Sequence, residues 1–193
     1  PGRGLWVSAS RQAVAEATRR NHFAKGFKRD VRAAATLAAD TETLLVRSVV
    51  EALAMAAKAG QVVSGFSKVE GALAPRQAQA AILALIHAGD GAADGIRKLD
   101  AIARQNTGKN AGNGEESRKF PVTTALTSEQ LDLALGRSNV VHAALLAGPE
   151  GKTFLSRSQV LVRYRMADDD RIAGDAARNL PIQTVRTRTT QRD

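Results

Sequence analysis

The residues best placed to do chemistry lie in "GQVVSGFSKVEGAL", residues 60–73, where a short apolar run with a period of two breaks at Ser64-Gly65 into a helical period. A helix that opens after glycine presents bare backbone amides with no Cβ to block a close approach, and such helix starts attract phosphate. Phe66, Ser67 and Lys68 would then fill the first turn, offering one ligand an apolar or stacking face, a hydroxyl and a cation. The plain alternative is an ordinary strand-to-helix turn with Phe66 in the core. These residues alone leave both readings open.

Other stretches support less. "AGPEGKT" (Ala147 to Thr153) looks like the end of a nucleotide-binding phosphate loop, but the glycine needed five residues before Gly151 is Leu146. The nest of amides that cradles a phosphate is therefore out of register, and Lys152 reads as a cation near a helix start. For acid-base chemistry the chain offers His87, Asp90, Asp94 and Asp100. His87 ends an apolar run and reads as a satisfied core or edge imidazole. Asp90 reads as a helix N-cap. No nucleophile, base and orienting group fall at a recognisable spacing, so no catalytic residue is assigned. There is no cysteine, and His22, His87 and His142 are scattered, so no metal site and no cofactor is expected.

Charge points to the partner. Lys and Arg number 28 against 19 acidic residues, a net +9 that favours a polyanion. Residues 1–40 carry eight basic and three acidic residues (+5), residues 41–163 fourteen and eleven (+3), and residues 164–193 six and five (+1). The N-terminal segment is the most basic per residue, with Arg11, Arg19, Arg20, Lys25, Lys28 and Arg29 crowded together. A solvated helix face is the plain account of such a run. The N-terminus lacks the charged-then-apolar pattern of a signal, and the longest apolar runs are about half a membrane span, so a cytoplasmic protein without membrane contact is expected.

The elements that must position these residues can be read from periodicity. "GLWVS" alternates like a strand, and "SRQAVAEATRRNHFAKGFK" reads as one or two helices capped by Ser10. "DTETLLVRSVVEALAMAAKAG" is a strong helix with Gly60 as its C-cap. Beyond it "QVVS", "AAILALIHA", "FPVTTAL" and "NVVHAALLA" read as strands. Between and after them "GFSKVEGALA" (stopped by Pro75), "DGAADGIRKLDAIARQ", "TSEQLDLALG" (capped at its start, stopped at Gly136) and "GKTFLSRSQVLVRYR" read as helices. Alternation over residues 40–165 predicts an α/β fold with helices on both faces of a mostly parallel or mixed sheet. "NTGKNAGNGEESRK" is expected to be an exposed loop, and residues 167–193 a weakly ordered tail.

The order of elements and the stretches "LAMAAKAGQVVSGFSKVEGAL", "LALIHAGDGAADGIRKLDAIA" and "FPVTTALTSEQLDLALGRSNVVHAALLA" resemble the kink-turn RNA-binding ribosomal proteins typified by archaeal L-seven-Ae. The resemblance implies a three-layer α/β/α sandwich over residues 40–166 that seats RNA on the helix start after the first strand, with a second loop following "QLDLALGRSN". It places Gly65, Ser67 and Lys68, with Phe66 beside them, on one side of the RNA, and Gly136, Arg137, Ser138 and Asn139 on the other. Where the family's kink-turn readers carry Asn-Glu and then Lys, this chain has Ser67, Lys68 and Gly71, which implies recognition of shape and phosphate rather than of guanine edges.

Residues 1–32, which open with "PGRGLWVSASRQAVAEATRRNHFAKGFK", resemble the YlxR-like nucleic-acid-binding proteins through the "GRG-aromatic-V" signature. Members usually carry an upstream C-x-x-C-R segment, so residues 1–38 are expected to be a partial, basic α/β module, adding phosphate contacts from Arg3, Arg19, Arg20, Lys25, Lys28 and Arg29. Fusions of the two modules resemble alphaproteobacterial RNA-binding proteins linked with transcription and translation. The expected function is non-catalytic binding of structured RNA, ribosomal or other noncoding. The alternative is a docking module for a translation or transcription factor.

Overall fold

A computed structural model describes residues 4–74, 82–108 and 121–166. In chain order its elements are α1 (Arg11–Arg19), α2 (His22–Phe27), α3 (Leu37–Lys58), β1 (Val62–Ser64), α4 (Phe66–Leu73), β2 (Ile82–His87), α5 (Ala93–Gly108), β3 (Val122–Thr123), α6 (Ser128–Leu135), β4 (His142–Leu146) and α7 (Pro149–Met166). Arg3, Pro75, residues 109–119 of the Asn/Gly-rich loop and the tail from residue 167 fall outside the described residues; the first three residues of that expected loop, 106–108, instead extend helix α5.

The protein is α/β, built in three layers. The sheet runs β1-β4-β2-β3, with β1/β4 and β4/β2 antiparallel and β2/β3 parallel through α5. Alternating side chains divide its two faces between separate cores. On one face Ala84, Ile86, Ala143 and Leu145 pack with Leu53 of α3, Leu131 of α6 and Phe154 of α7. On the other, Leu85 and Ala144 meet Val69 and Leu73 of α4 and Leu99 of α5. A register shift between Ile82 and Ala84 breaks strict alternation, so Leu83 and Ala84 share one core while Ile82 turns to the other. Alanines at 52, 56, 84, 143 and 144 let helices lie close on the sheet, as the scarcity of aromatics implies.

Local signals work as their chemistry dictates. Ser10 accepts the Ala13 N–H at 3.0 Å to start α1, and Thr127 with Gln130 forms a capping box at α6. Helix α3 ends one residue earlier than expected, with Ala59 at the C-cap and Gly60 taking the positive φ of +72° just beyond it.

The N-terminal segment corrects one expectation. Gly4–Ser8 forms no strand, so the appendage is helical among the described residues rather than α/β. The alternation of "GLWVS" is real, but among the described residues no neighbouring strand offers it a ladder, and an unpaired strand is not stable. Helix α1 instead lies against α3. There Glu42 pairs with Arg11 at 3.2 Å and with Arg165 of α7 at 2.8 Å, and Tyr164 Oη donates to the Ala38 carbonyl at 2.8 Å. Among the described residues no helix is long and apolar enough to cross a membrane.

Candidate nucleic-acid interface

The pairing of β1 with β4 brings the two expected loops together. Ser64 stands opposite Ala143, and the Gly65 N–H donates to the His142 carbonyl at 2.9 Å. Because these strands run antiparallel, the chain leaving β1 and the chain entering β4 emerge at the same end of the sheet. Gly65–Lys68 and Gly136–Asn139 therefore flank one edge. A groove of about 530 Å³ opens there, lined by Lys58, Val62, Ser64, Leu133, Gly136 and Arg137 among others.

Both flanks have a conformation their residues require. Gly65 adopts φ +97° and ψ 143°, a region all but closed to side-chain-bearing residues, and α4 starts directly after it with no side-chain cap. Gly136 closes α6 in the left-handed region at φ +61°, and Asn139 repeats that hand at φ +60°. Asp132 fixes the turn between them. Its carboxylate accepts the N–H groups of Asn139 at 2.9 Å and Val140 at 2.7 Å, while its carbonyl accepts that of Arg137 at 3.2 Å. Lys58, Ser67, Lys68, Arg137 and Ser138 are exposed, and Lys58, Lys68 and Arg137 form no ion pair among the described residues. Reasoning from the sequence alone misses Asp132. The available signal is an Asp four residues before a C-cap glycine.

Phe66 is turned inward. Half-buried against the core of α4 and α5, its ring meets the His142 ring edge-on at a centroid distance of 5.8 Å, so it supports the hinge from below. The histidines are not all scattered: His87 and His142 meet between β2 and β4, Nδ1 to Nδ1 at 2.9 Å, with His87 Nε2 3.3 Å from Asp100 Oδ1. The sequence does not show this because the pair is 55 positions apart and meets only when the chain folds back into a strand pair. His87 is fully buried. Burial, then the neighbouring His87, pulls the His142 pKa below its usual value. Among the described residues no group of three or more His, Cys, Asp or Glu could hold a metal ion.

Asp90 also differs from expectation. It accepts the N–H and hydroxyl of Ser128, at 2.7 and 2.8 Å, at the start of α6 rather than capping its own helix, and these bonds hold its carboxyl below the usual carboxylate range. At the look-alike phosphate loop, Gln61 fills the place of a ligand. Its side-chain oxygen accepts the Gly151 N–H at 2.9 Å, its amide donates to Glu150, and its carbonyl accepts the Leu146 N–H at 2.8 Å.

In the basic segment, Arg19 and Arg20 both pair with Glu16, the solvated-face arrangement expected of a charge run. Lys25, Lys28 and Arg29 are exposed and form no ion pair among the described residues.

No protein-family model matches the chain, and no curated protein does. A solved structure, that of a protein with unknown function from Bacillus halodurans C, is similar over 57% of this chain and 96% of its own, at 17% identity and a TM-score of 0.45.

Proposed function

We propose that the protein binds structured RNA, ribosomal or other noncoding, by shape and phosphate contacts and without catalysis. The observation that carries this reading is the shared edge formed by the Gly65 hinge and the Gly136–Asn139 turn, with Lys58 and Arg137 lining one groove and Lys68 exposed in the first turn of α4. The uncapped first turn of α4 faces an anion with amides and the positive end of its dipole. Arg137 stands on a turn already ordered by Asp132, so little entropy is lost when it meets a phosphate. The resemblance to kink-turn binders, the net +9 and the basic N-terminal helices support the same partner. A cytoplasmic role linked to transcription or translation belongs to this proposal.

The direct test measures binding of a kink-turn RNA and a straight duplex across a salt series. Lys68→Glu with Arg137→Glu should weaken binding of the bent RNA, and each lost phosphate contact should reduce the salt slope by about one unit. Unchanged binding in the double variant overturns the groove as the RNA site.

A docking role is the second reading, favoured by Leu133, 75% exposed while lining the same groove. Purified protein whose ultraviolet 260/280 ratio is high and falls on a salt wash supports RNA. Nucleic-acid-free protein that captures a translation or transcription factor through Leu133 supports docking.

A further inference from the structure

Trp6 is the sole tryptophan of the chain and is 97% exposed. Its isolation is built in. The preceding Leu5 side chain covers Gly26 of α2 so closely that a Cβ on Gly26 would lie 2.5 Å from Leu5 Cδ2. Leu5 thereby lies on α2, while the side chain of the next residue, Trp6, stands almost wholly in solvent. Both faces of the indole are open, and it makes no ring contact among the described residues. Next to that contact, Lys25 precedes Gly26, and Lys28 and Arg29 follow it. Lys28 takes the left-handed φ of +51°, and the Arg29 N–H returns to the Ala24 carbonyl at 3.2 Å, so the end of α2 is a closed turn carrying cations.

We infer that Trp6 is a stacking platform for an unpaired RNA nucleotide whose phosphate is held by Lys25, Lys28 and Arg29. An open indole with nearby cations that form no ion pair among the described residues matches the two parts of a nucleotide, a π-faced base and an anion. The inference takes its polyanion from the RNA reading of the groove but uses a separate surface. The N-terminal helices would thus hold a single-stranded flank while the groove holds the folded part.

The single tryptophan makes the test direct. The full chain is titrated with an eight-nucleotide oligouridine, following both fluorescence polarisation of the labelled RNA and the emission of Trp6. Stacking predicts saturable quenching in step with binding. Trp6→Ala should weaken the oligonucleotide by about 5- to 150-fold, the range found for losing one stacked base, while Trp6→Phe retains most of the affinity. Oligonucleotide binding with unquenched emission, or a Trp6→Ala variant that binds like the parent, overturns the inference. So does a protein or anionic lipid vesicle that shifts Trp6 emission when the oligonucleotide does not. Failure here with kink-turn binding still sensitive to Arg137→Glu removes only the platform. Quenching that depends on Trp6, with binding indifferent to Lys68 and Arg137, removes only the groove.

Discussion

His87 and His142 face each other Nδ1 to Nδ1 at 2.9 Å directly beneath the Gly65 hinge. Two like nitrogens at that distance can share only one proton. Asp100 beside His87 Nε2 favours a proton there, which leaves His87 Nδ1 to accept from His142. Burial, and then the neighbouring His87, disfavour a second proton on the His142 ring.

Stability should therefore fall in mild acid. The native His142 pKa is lowered, so between the unfolded value of 6.5 and the lowered native value the unfolded chain binds more protons. The contribution is complete above pH 6.5 and declines as pH drops through that window. Urea midpoints at pH 7.5 and pH 5 check this. His142→Gln, which cannot take the proton, should show a smaller difference between the two than the parent. Because the Gly65 N–H and the Phe66 ring both rest on His142, the hinge should loosen along with it.

Glycines in α4 and at its start should respond oppositely to alanine. At Gly65 a Cβ would meet nothing within 4 Å, so the whole penalty of Gly65→Ala is the φ of +97°, about 1–3 kcal/mol. Gly71 lies in a helix with equally open space, and Gly71→Ala should stabilise by about 0.5–1 kcal/mol. Denaturant titration of the pair separates conformational demand from steric room.

Much of this fold is legible in the sequence because each element has its own punctuation. The Thr127/Gln130 box, the Gly136 stop and the Ser10 cap lie within four residues of what they control, so the sequence displays cause and effect together. The sandwich follows from the alternation of helical and extended periods. What escapes depends on distant neighbours. The Leu5–Val7 alternation predicts a strand only if a partner exists, and none lies beside it among the described residues. Asp90 and Ser128 meet across 38 residues, and His87 and His142 across 55. The sequence leaves Phe66 two roles, and only the position of His142 decides where its ring goes.

Asp132 should act on binding without touching the ligand. Asp132→Ala leaves the N–H groups of Asn139 and Val140 without their acceptor, costing about 1–3 kcal/mol. If the groove binds RNA, affinity should fall through disorder of Arg137, and the salt slope should stay near that of the parent because no cation is lost. Arg137→Ala should instead lower both. Measuring affinity and slope for the two variants separates a positioning residue from a contact.

Glu16 sets how much of the basic segment is available. It pairs with both Arg19 and Arg20, and Arg19 foremost holds its carboxyl below the usual range. Such exposed pairs contribute little to stability, so Glu16→Gln should change the unfolding midpoint only slightly. Electrostatically the change is larger: three residues that together carry one positive charge would carry two. RNA affinity should rise and the salt slope should steepen by up to about one unit. Converting Lys25, Lys28 and Arg29 to Gln should flatten the slope more per residue than converting Arg19 and Arg20, since the former have no carboxylate partner among the described residues. Equal effects per residue from both sets would show that Glu16 does not restrain its two arginines when RNA is present.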